Sequence, residues 1–374
     1  MKVPLLDLQA QYSTIKNEVQ RAIDAVLASQ NFILGKQVEE LEAKIAHFCK
    51  VKVAIGVASG TDALLLSLMA LDIGKGDEVI TTPYTFFATV GSIVRLGAKP
   101  VFVDIDPKTF NIDPAKIEEK ITPRTKAIIP VHLFGQVADM DAILELARRY
   151  NIAIVEDAAQ ALGAAYKGRA AGSIGDLGIL SFYPSKNLGA YGDAGMVLTN
   201  NEELAEKVSI LRVHGSKTRY YHTMVGINSR LDTLQAAILL VKLKYIDQWK
   251  QRRREIAHLY DKDLQDTPVT CPYVCKQNDS VYTYYVIRTK GRDALKDYLT
   301  EAGIGTAVYY PLPMHMQECL RYLDYREGSM PEAEGASKEA LAIPLYPEIT
   351  EEQRGYVVEN IKRFFRSNPE LRGR

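Results

Sequence analysis

The sequence predicts an α/β protein: a mostly parallel sheet with helices on both faces, followed by a smaller α+β domain. Two patterns carry this. From about residue 36 to about residue 240, short β-branched runs alternate with segments whose apolar residues fall at helical spacing. The strand-like runs are apolar throughout rather than alternating. That marks strands buried on both faces, and such strands belong to parallel sheets. After Leu231 the rhythm changes to one long helical segment and a shorter mixed set.

The elements follow in order. Val38, Leu41, Ile45 and Phe48 stand three or four apart, so the spacing predicts a helix over Lys36–Phe48. Val53–Val57 reads as a β-branched strand, and Asp62–Leu71 as an apolar helix ended by Gly74. Glu78–Thr82 reads as a strand and Ala88–Leu96 as a helix. Pro100–Asp104, Ala127–Val131 and Ala153–Val155 are further buried strands, with helices over Pro114–Lys120 and Met140–Tyr150. Their crossovers should be right-handed. From Leu231 a helix runs to about Leu264. Its Lys242, Lys244, Lys250, Arg252, Arg253 and Arg254 read as a solvated face. Beyond it come strands at Tyr282–Ile287 and Thr306–Tyr310, with a helix over Arg292–Ala302 closed by Gly303. Helices over Pro331–Leu341 and Glu351–Phe365 complete the chain. At roughly 150 residues per domain, 374 residues make about two. The expected division is 1–240, large, and 241–374, small, with the boundary in a helix.

Composition removes several function classes. The 46 basic and 46 acidic side chains cancel. A nucleic-acid binder carries a basic excess, and an acidic membrane surface attracts one. No apolar run is long enough to span a bilayer. The N-terminus, MKVPLLDLQAQY, has no apolar signal core. Cys271 and Cys275 stand close together, but no second Cys or His pair completes a metal site. With Cys49 and Cys319 they read as the free thiols of a cytoplasmic protein without a metal.

Four local features lie where loops leave the carboxyl ends of strands, the place where open α/β sheets bind ligands. Ser59-Gly60-Thr61-Asp62 opens a helix, either as an ordinary cap or as a phosphate seat. The GxGxxG and GxxxxGK[ST] patterns are both missing from the chain, which counts against a nucleotide-dependent oxidoreductase. Asp157 ends a buried strand, either as a helix cap or facing a ligand cation. Lys186, flanked by Pro184 and Gly189, is either a surface-loop lysine or a Schiff-base lysine. Phe86 and Phe87 are adjacent, so both cannot enter one core, and one is free to stack on a planar ring. Phosphate, ring nitrogen, planar ring and aldehyde together describe pyridoxal phosphate.

Longer motifs carry a family resemblance: SGTDAL, GDEVITTPYTFFAT, GAKPVFVDID, VHLFGQ, VEDAAQALGA, SFYPSKNLGAYGDAG, NSRLDTLQAA and YYPLPMH. The chain resembles the DegT/DnrJ/EryC1/StrS nucleotide-sugar aminotransferases, enzymes of pyridoxal-phosphate fold type I with a seven-stranded sheet. The resemblance implies pyridoxal 5′-phosphate covalent to Lys186, with the pyridoxamine phosphate form arising during turnover. It pairs Asp157 with the ring nitrogen, Gln160 with the ring hydroxyl and Phe86 with the ring face. Gly60, Thr61 and Ser181 look like phosphate ligands. Asn228 is similar to a residue that reaches the phosphate of a neighbouring subunit, which implies a homodimer with shared sites. Phe32, Tyr183, Ser185, Arg230, Tyr309, Tyr310 and His315 correspond to the nucleotide-sugar side. Lys186 separates the chain from relatives that carry His there and dehydrate. The run around Lys186 resembles enzymes that move the amino group of L-glutamate to C3 of a dTDP- or UDP-linked keto sugar. The alternatives are C4 amination and a non-catalytic regulator.

Overall fold

The computed structural model, which describes residues 1–372, is organised around a seven-stranded sheet. Its strands in chain order are β1 (Val53–Val57), β2 (Glu78–Thr81), β3 (Lys99–Phe102), β4 (Thr125–Ile129), β5 (Ala153–Asp157), β6 (Leu177–Ser181) and β7 (Gly195–Thr199). Their spatial order is β1-β7-β6-β5-β4-β2-β3. The run from β6 to β3 is parallel. Only β7 breaks it, lying antiparallel to both β1 and β6.

Helices cover both faces. They are α1 (Leu8–Ser29), α2 (Lys36–Cys49), α3 (Gly60–Ala70), α4 (Phe87–Arg95), α5 (Met140–Tyr150), α6 (Glu202–Leu211) and α7 (Thr233–Leu243). Successive strand residues divide between two apolar clusters. Ile128, Ile154, Leu180 and Met196 pack with Leu41, Ile45 and Ile143 of α2 and α5. Their neighbours Ile129, Val155, Ile179 and Val197 pack with Leu64, Leu68 and Ile93 of α3 and α4. A strand buried on both sides has no polar face to alternate, which is why these runs are apolar throughout.

The remainder builds on α8 (Ile246–Leu264). Strands β8 (Tyr285–Arg288) and β9 (Ala340–Ile343) pair antiparallel, with α9 (Arg292–Glu301), α10 (Pro331–Glu339) and α11 (Glu351–Ser367) around them. Their core holds Tyr260, Tyr285, Leu299, Ile361 and Phe365, and it also takes in Val3. The N-terminal segment thus packs here, with Val3 bridging Ile304 in parallel.

Five expectations are corrected. The helix from Leu231 to Leu264 is two helices, α7 and α8, separated at Lys244–Tyr245. Neither Pro nor Gly marks the break, where Tyr245 stacks on Trp249 at 5.9 Å and its hydroxyl bonds Glu18. The basic face is not wholly solvated, since Lys242 and Arg253 are 1% and 3% exposed. Thr306–Tyr310 forms only the single bridge Ala307↔Ala342. Pro331–Leu341 is helical only to Glu339, after which the chain extends into β9. Pro114–Lys120 is two short 3₁₀ turns.

Candidate active site

The carboxyl ends of β1, β5 and β6 converge on one cavity of about 600 Å³. At the β1 end, Ser59 accepts a hydrogen bond from Asp62 N at 3.0 Å and starts α3. The first turn of α3 leaves backbone N–H groups without intrahelical partners, on the positive end of the helix dipole. Gly60 lies against Ser181 at the end of β6. A Cβ on Gly60 would stand 2.7 Å from Ser181 Cβ and 3.1 Å from its hydroxyl. The two elements therefore meet only because position 60 has no side chain. Gly60→Ala is expected to destabilise the protein by about 1–3 kcal/mol, as overpacking does, and to loosen any anion held there. A thermal melt and a cofactor titration check both.

Asp157 ends β5 and is 5% exposed. Its Oδ2 accepts from Thr89 Oγ1 at 2.8 Å and its Oδ1 from Ala159 N at 3.2 Å. Because the Thr89 proton goes to Asp157, Thr85 is the donor in the 2.9 Å contact between the two threonine hydroxyls. Burial pushes the Asp157 carboxyl above its ordinary range; Thr89, Ala159 N and the Lys186 charge oppose it. Among the described residues Asp157 has no salt-bridge partner. The preceding residue, Glu156, points to the opposite face. It pairs there with buried His132 at 2.8 Å and accepts from the amides of Gly172, Ile174 and Gly175.

Gln160 lies beside Asp157. Its Oε1 accepts from Phe134 N at 2.9 Å and its Nε2 donates to Tyr310 Oη at 3.0 Å. The Phe134 amide requires an acceptor, which fixes the orientation of the side chain. One N–H of Gln160 is left over. Lys186 follows β6, and its Nζ lies 5.9 Å from the centre of the Tyr284 ring. The Tyr284 ring packs tilted against Tyr309 at 4.5 Å, and Tyr310 lies 6.4 Å from Phe86. Burial raises the hydroxyls of Tyr309 and Tyr310 above the usual tyrosine range, so both stay neutral. Buried Tyr84 holds their backbone by donating to Tyr309 O and accepting from Tyr310 N.

Of the residues singled out from sequence, Gly60, Thr61, Phe86, Asp157, Gln160, Ser181, Tyr183, Ser185, Lys186, Tyr309 and Tyr310 line this cavity. Four do not. Asn228 lines a separate surface hollow with Thr61, Asp62, Phe86 and Phe87. Phe32 accepts a backbone bond from Thr233 N at 3.0 Å. Arg230 precedes α7, with its Nε buried and unpaired. His315 is packed 2% exposed between Phe102 and Tyr325, bonded to Glu334 at 3.0 Å. Thr85, Thr89, Asp193 and Tyr284 line the cavity and were not foreseen. Thr85 and Thr89 carried a signal in their four-residue spacing at a helix start. Tyr284 carried another, since strand alternation turns it away from core residue Tyr285.

The donor set fits pyridoxal phosphate. The Gly60–Ser181 cradle and the α3 amides suit a phosphate, and Asp157 suits a protonated ring nitrogen. Lys186 suits an aldehyde, and the spare Gln160 N–H a ring hydroxyl. Fold and site together define a pyridoxal-phosphate-dependent aminotransferase. The chain belongs to the DegT/DnrJ/EryC1/StrS aminotransferase family, whose model matches residues 13–362. It is 53% identical to the pleiotropic regulatory protein of Geobacillus stearothermophilus over 98% of this chain and 99% of that one. It is 44% identical to the UDP-2-acetamido-2-deoxy-3-oxo-D-glucuronate aminotransferase of Pseudomonas aeruginosa, over 92% and 95%. S. venezuelae DesV, solved in complex with a ketimine intermediate, superposes with a TM-score of 0.95. The sequences are 42% identical, over 97% of this chain and 98% of that one.

Proposed function

We propose that the chain moves the amino group of L-glutamate to C3 of a nucleotide-linked 3-keto sugar, for amino-sugar biosynthesis, and works as a cytoplasmic homodimer. The observation that carries this is the placing of Lys186, Asp157 and four tyrosines in one cavity. Pyridoxal phosphate, when bound, supplies an aldehyde that takes up an amino group and a ring that draws in the electron pair of the breaking bond. Asp157 holds a proton on the ring nitrogen. Lys186 Nζ takes the proton from the α-carbon of glutamate and, in the second half, delivers one to sugar C3. Gly60, Thr61 and Ser181 hold the phosphate, and Phe86 covers the ring. Tyr183, Ser185, Tyr309 and Tyr310 face the sugar. Because one cofactor serves both substrates in turn, the kinetics are ping-pong.

The homodimer draws support from Asn228. It lies outside the cavity of its own chain, beside exposed Phe86 and Phe87 and near Val225, which is 90% exposed. In this reading it reaches the phosphate of the second subunit, and Phe32 and Arg230 serve the nucleotide; His315, buried between Phe102 and Tyr325, holds Glu334 instead. The division into two domains, 1–240 and 241–374, draws support from the sheet core and the core around α8, although Val3 packs with the second, Ile246 and Val281 with the first, and a further apolar cluster joins Phe102 and Phe134 to Val286 and Ala342. No described helix is long and apolar enough to cross a membrane.

The first test is an absorbance spectrum of the purified protein, then addition of L-glutamate. A yellow band that bleaches with glutamate and returns with a 3-keto nucleotide sugar is the expected result. Return only with a 4-keto sugar would move the amination to C4. The name of the Geobacillus relative favours a second reading, a regulator. A protein that stays colourless with added pyridoxal phosphate would undo the enzyme reading and move the regulator to the front.

A further inference from the structure

We propose that α7 is the positioning element for the Lys186 loop, acting through Gln235 and Lys242; this rests on the transaminase reading above. Within the loop, Lys186 N donates to Tyr183 O at 2.8 Å and Ala190 N to Phe182 O at 2.7 Å. A Cβ on Gly189 would stand 2.3 Å from Pro184 O, so that position is packed bare against the start of the loop. The Gly189 carbonyl accepts from Lys242 Nζ at 2.5 Å. Two residues on, Tyr191 N donates to Gln235 Oε1 at 2.8 Å and Tyr191 O accepts from Gln235 Nε2 at 3.2 Å. Gln235 and Lys242 are seven residues apart and share one face of α7. Three hydrogen bonds therefore fix the loop to one helix, a few residues beyond Lys186.

The chemistry of Lys242 is costly for a purely structural residue. It is 1% exposed, and no described carboxylate forms a salt bridge with it. Burial pulls its pKa down to about 8, with the charge of Glu348 opposing. The Tyr191 ring lies 5.1 Å from Nζ, and Arg253 of α8 faces the same Glu348. A buried ammonium with one carbonyl acceptor, one ring face and no salt bridge opposes folding. Its benefit lies in what it holds: displacement of a reacting group by about 1 Å costs on the order of a hundredfold in rate.

The test compares Lys242→Met and Gln235→Leu holoenzymes with the wild type. Expected is a kcat loss on the order of ten- to a hundredfold, with KM changed less than about twofold. Amide exchange over residues 186–192 should rise roughly tenfold, and the melting temperature should fall by no more than about 2 °C. Wild-type kcat with wild-type exchange in both variants overturns the proposal. So does a kcat loss that comes with faster exchange throughout the chain and a lower melting temperature. A wild-type protein inactive on every keto sugar would overturn the transaminase reading instead, and exchange would still decide whether α7 holds the loop.

Discussion

Lys186→Ala is expected to abolish transamination, by on the order of 10⁴-fold or more, while the protein folds as before. The lysine is asked to do two things no neighbour can replace: carry the aldehyde and move the proton. In energy, 10⁴-fold is about 5.4 kcal/mol at 1.36 kcal/mol per decade. The fold has little stake in the side chain. Lys186 is only half-buried, has no salt-bridge partner among the described residues and touches the Tyr284 ring from 5.9 Å. A contact of that kind contributes about 0.5–1 kcal/mol. The loop itself is fastened by backbone bonds and by α7. A circular-dichroism melt and a single-turnover assay with L-glutamate read the two halves separately. A variant with full activity would sink the assignment of Lys186, and one that fails to fold would move the lysine into the structure.

The sheet was largely legible because burial on both faces writes itself as uninterrupted apolar residues. Val53–Val57 and Met140–Tyr150 fall where the pattern places them. What was not legible depended on tertiary partners. β6 and β7 are broken up by glycines (Gly178, Gly195) that pack against Gly172 and Ser59 rather than extend an apolar run. The α7–α8 break falls at Lys244–Tyr245, residues compatible with a continuing helix, where the Tyr245 hydroxyl bonds Glu18 of α1. Ala340–Ile343 continues an apolar helical pattern, and only its pairing with Tyr285–Arg288 makes it a strand.

The site was legible where one residue type is chemically obligatory. A phosphate turn, an aspartate and a lysine each announce themselves at strand ends. The supporting groups do not. Thr89 matters because its hydroxyl reaches Asp157 across 68 positions, and Tyr84 because its hydroxyl staples Tyr309 and Tyr310 across 225. Lys242 shows the limit most clearly. In sequence it belongs to a basic run, which is ordinarily solvated; in the fold it is buried against the carbonyl of Gly189.

Asp157→Asn is expected to cost turnover roughly 10²–10⁴-fold, as removing one partner of a buried charge pair does at about 3–5 kcal/mol. The same change should hold or raise the melting temperature of the apoprotein. The sign follows from burial, which lifts the Asp157 carboxyl above its unfolded value of about 3.9. A group shifted that way favours the fold fully below the unfolded pKa and loses that contribution as pH rises through the folded one. Above the folded pKa the ionised carboxylate therefore opposes folding of the apoprotein, and the amide relieves it. The local hydrogen bonds survive the exchange. The amide oxygen keeps Ala159 N, and the amide N–H donates to Thr89 Oγ1, whose own proton turns toward Thr85. Melts across pH should show the advantage of the variant shrinking as pH falls through the folded pKa and holding above it. Bound pyridoxal phosphate should then stabilise the wild type more than the variant, because only the carboxylate gains a cationic partner. Turnover within tenfold of wild type, or an equal gain from the cofactor in both proteins, would remove Asp157 from the ring nitrogen.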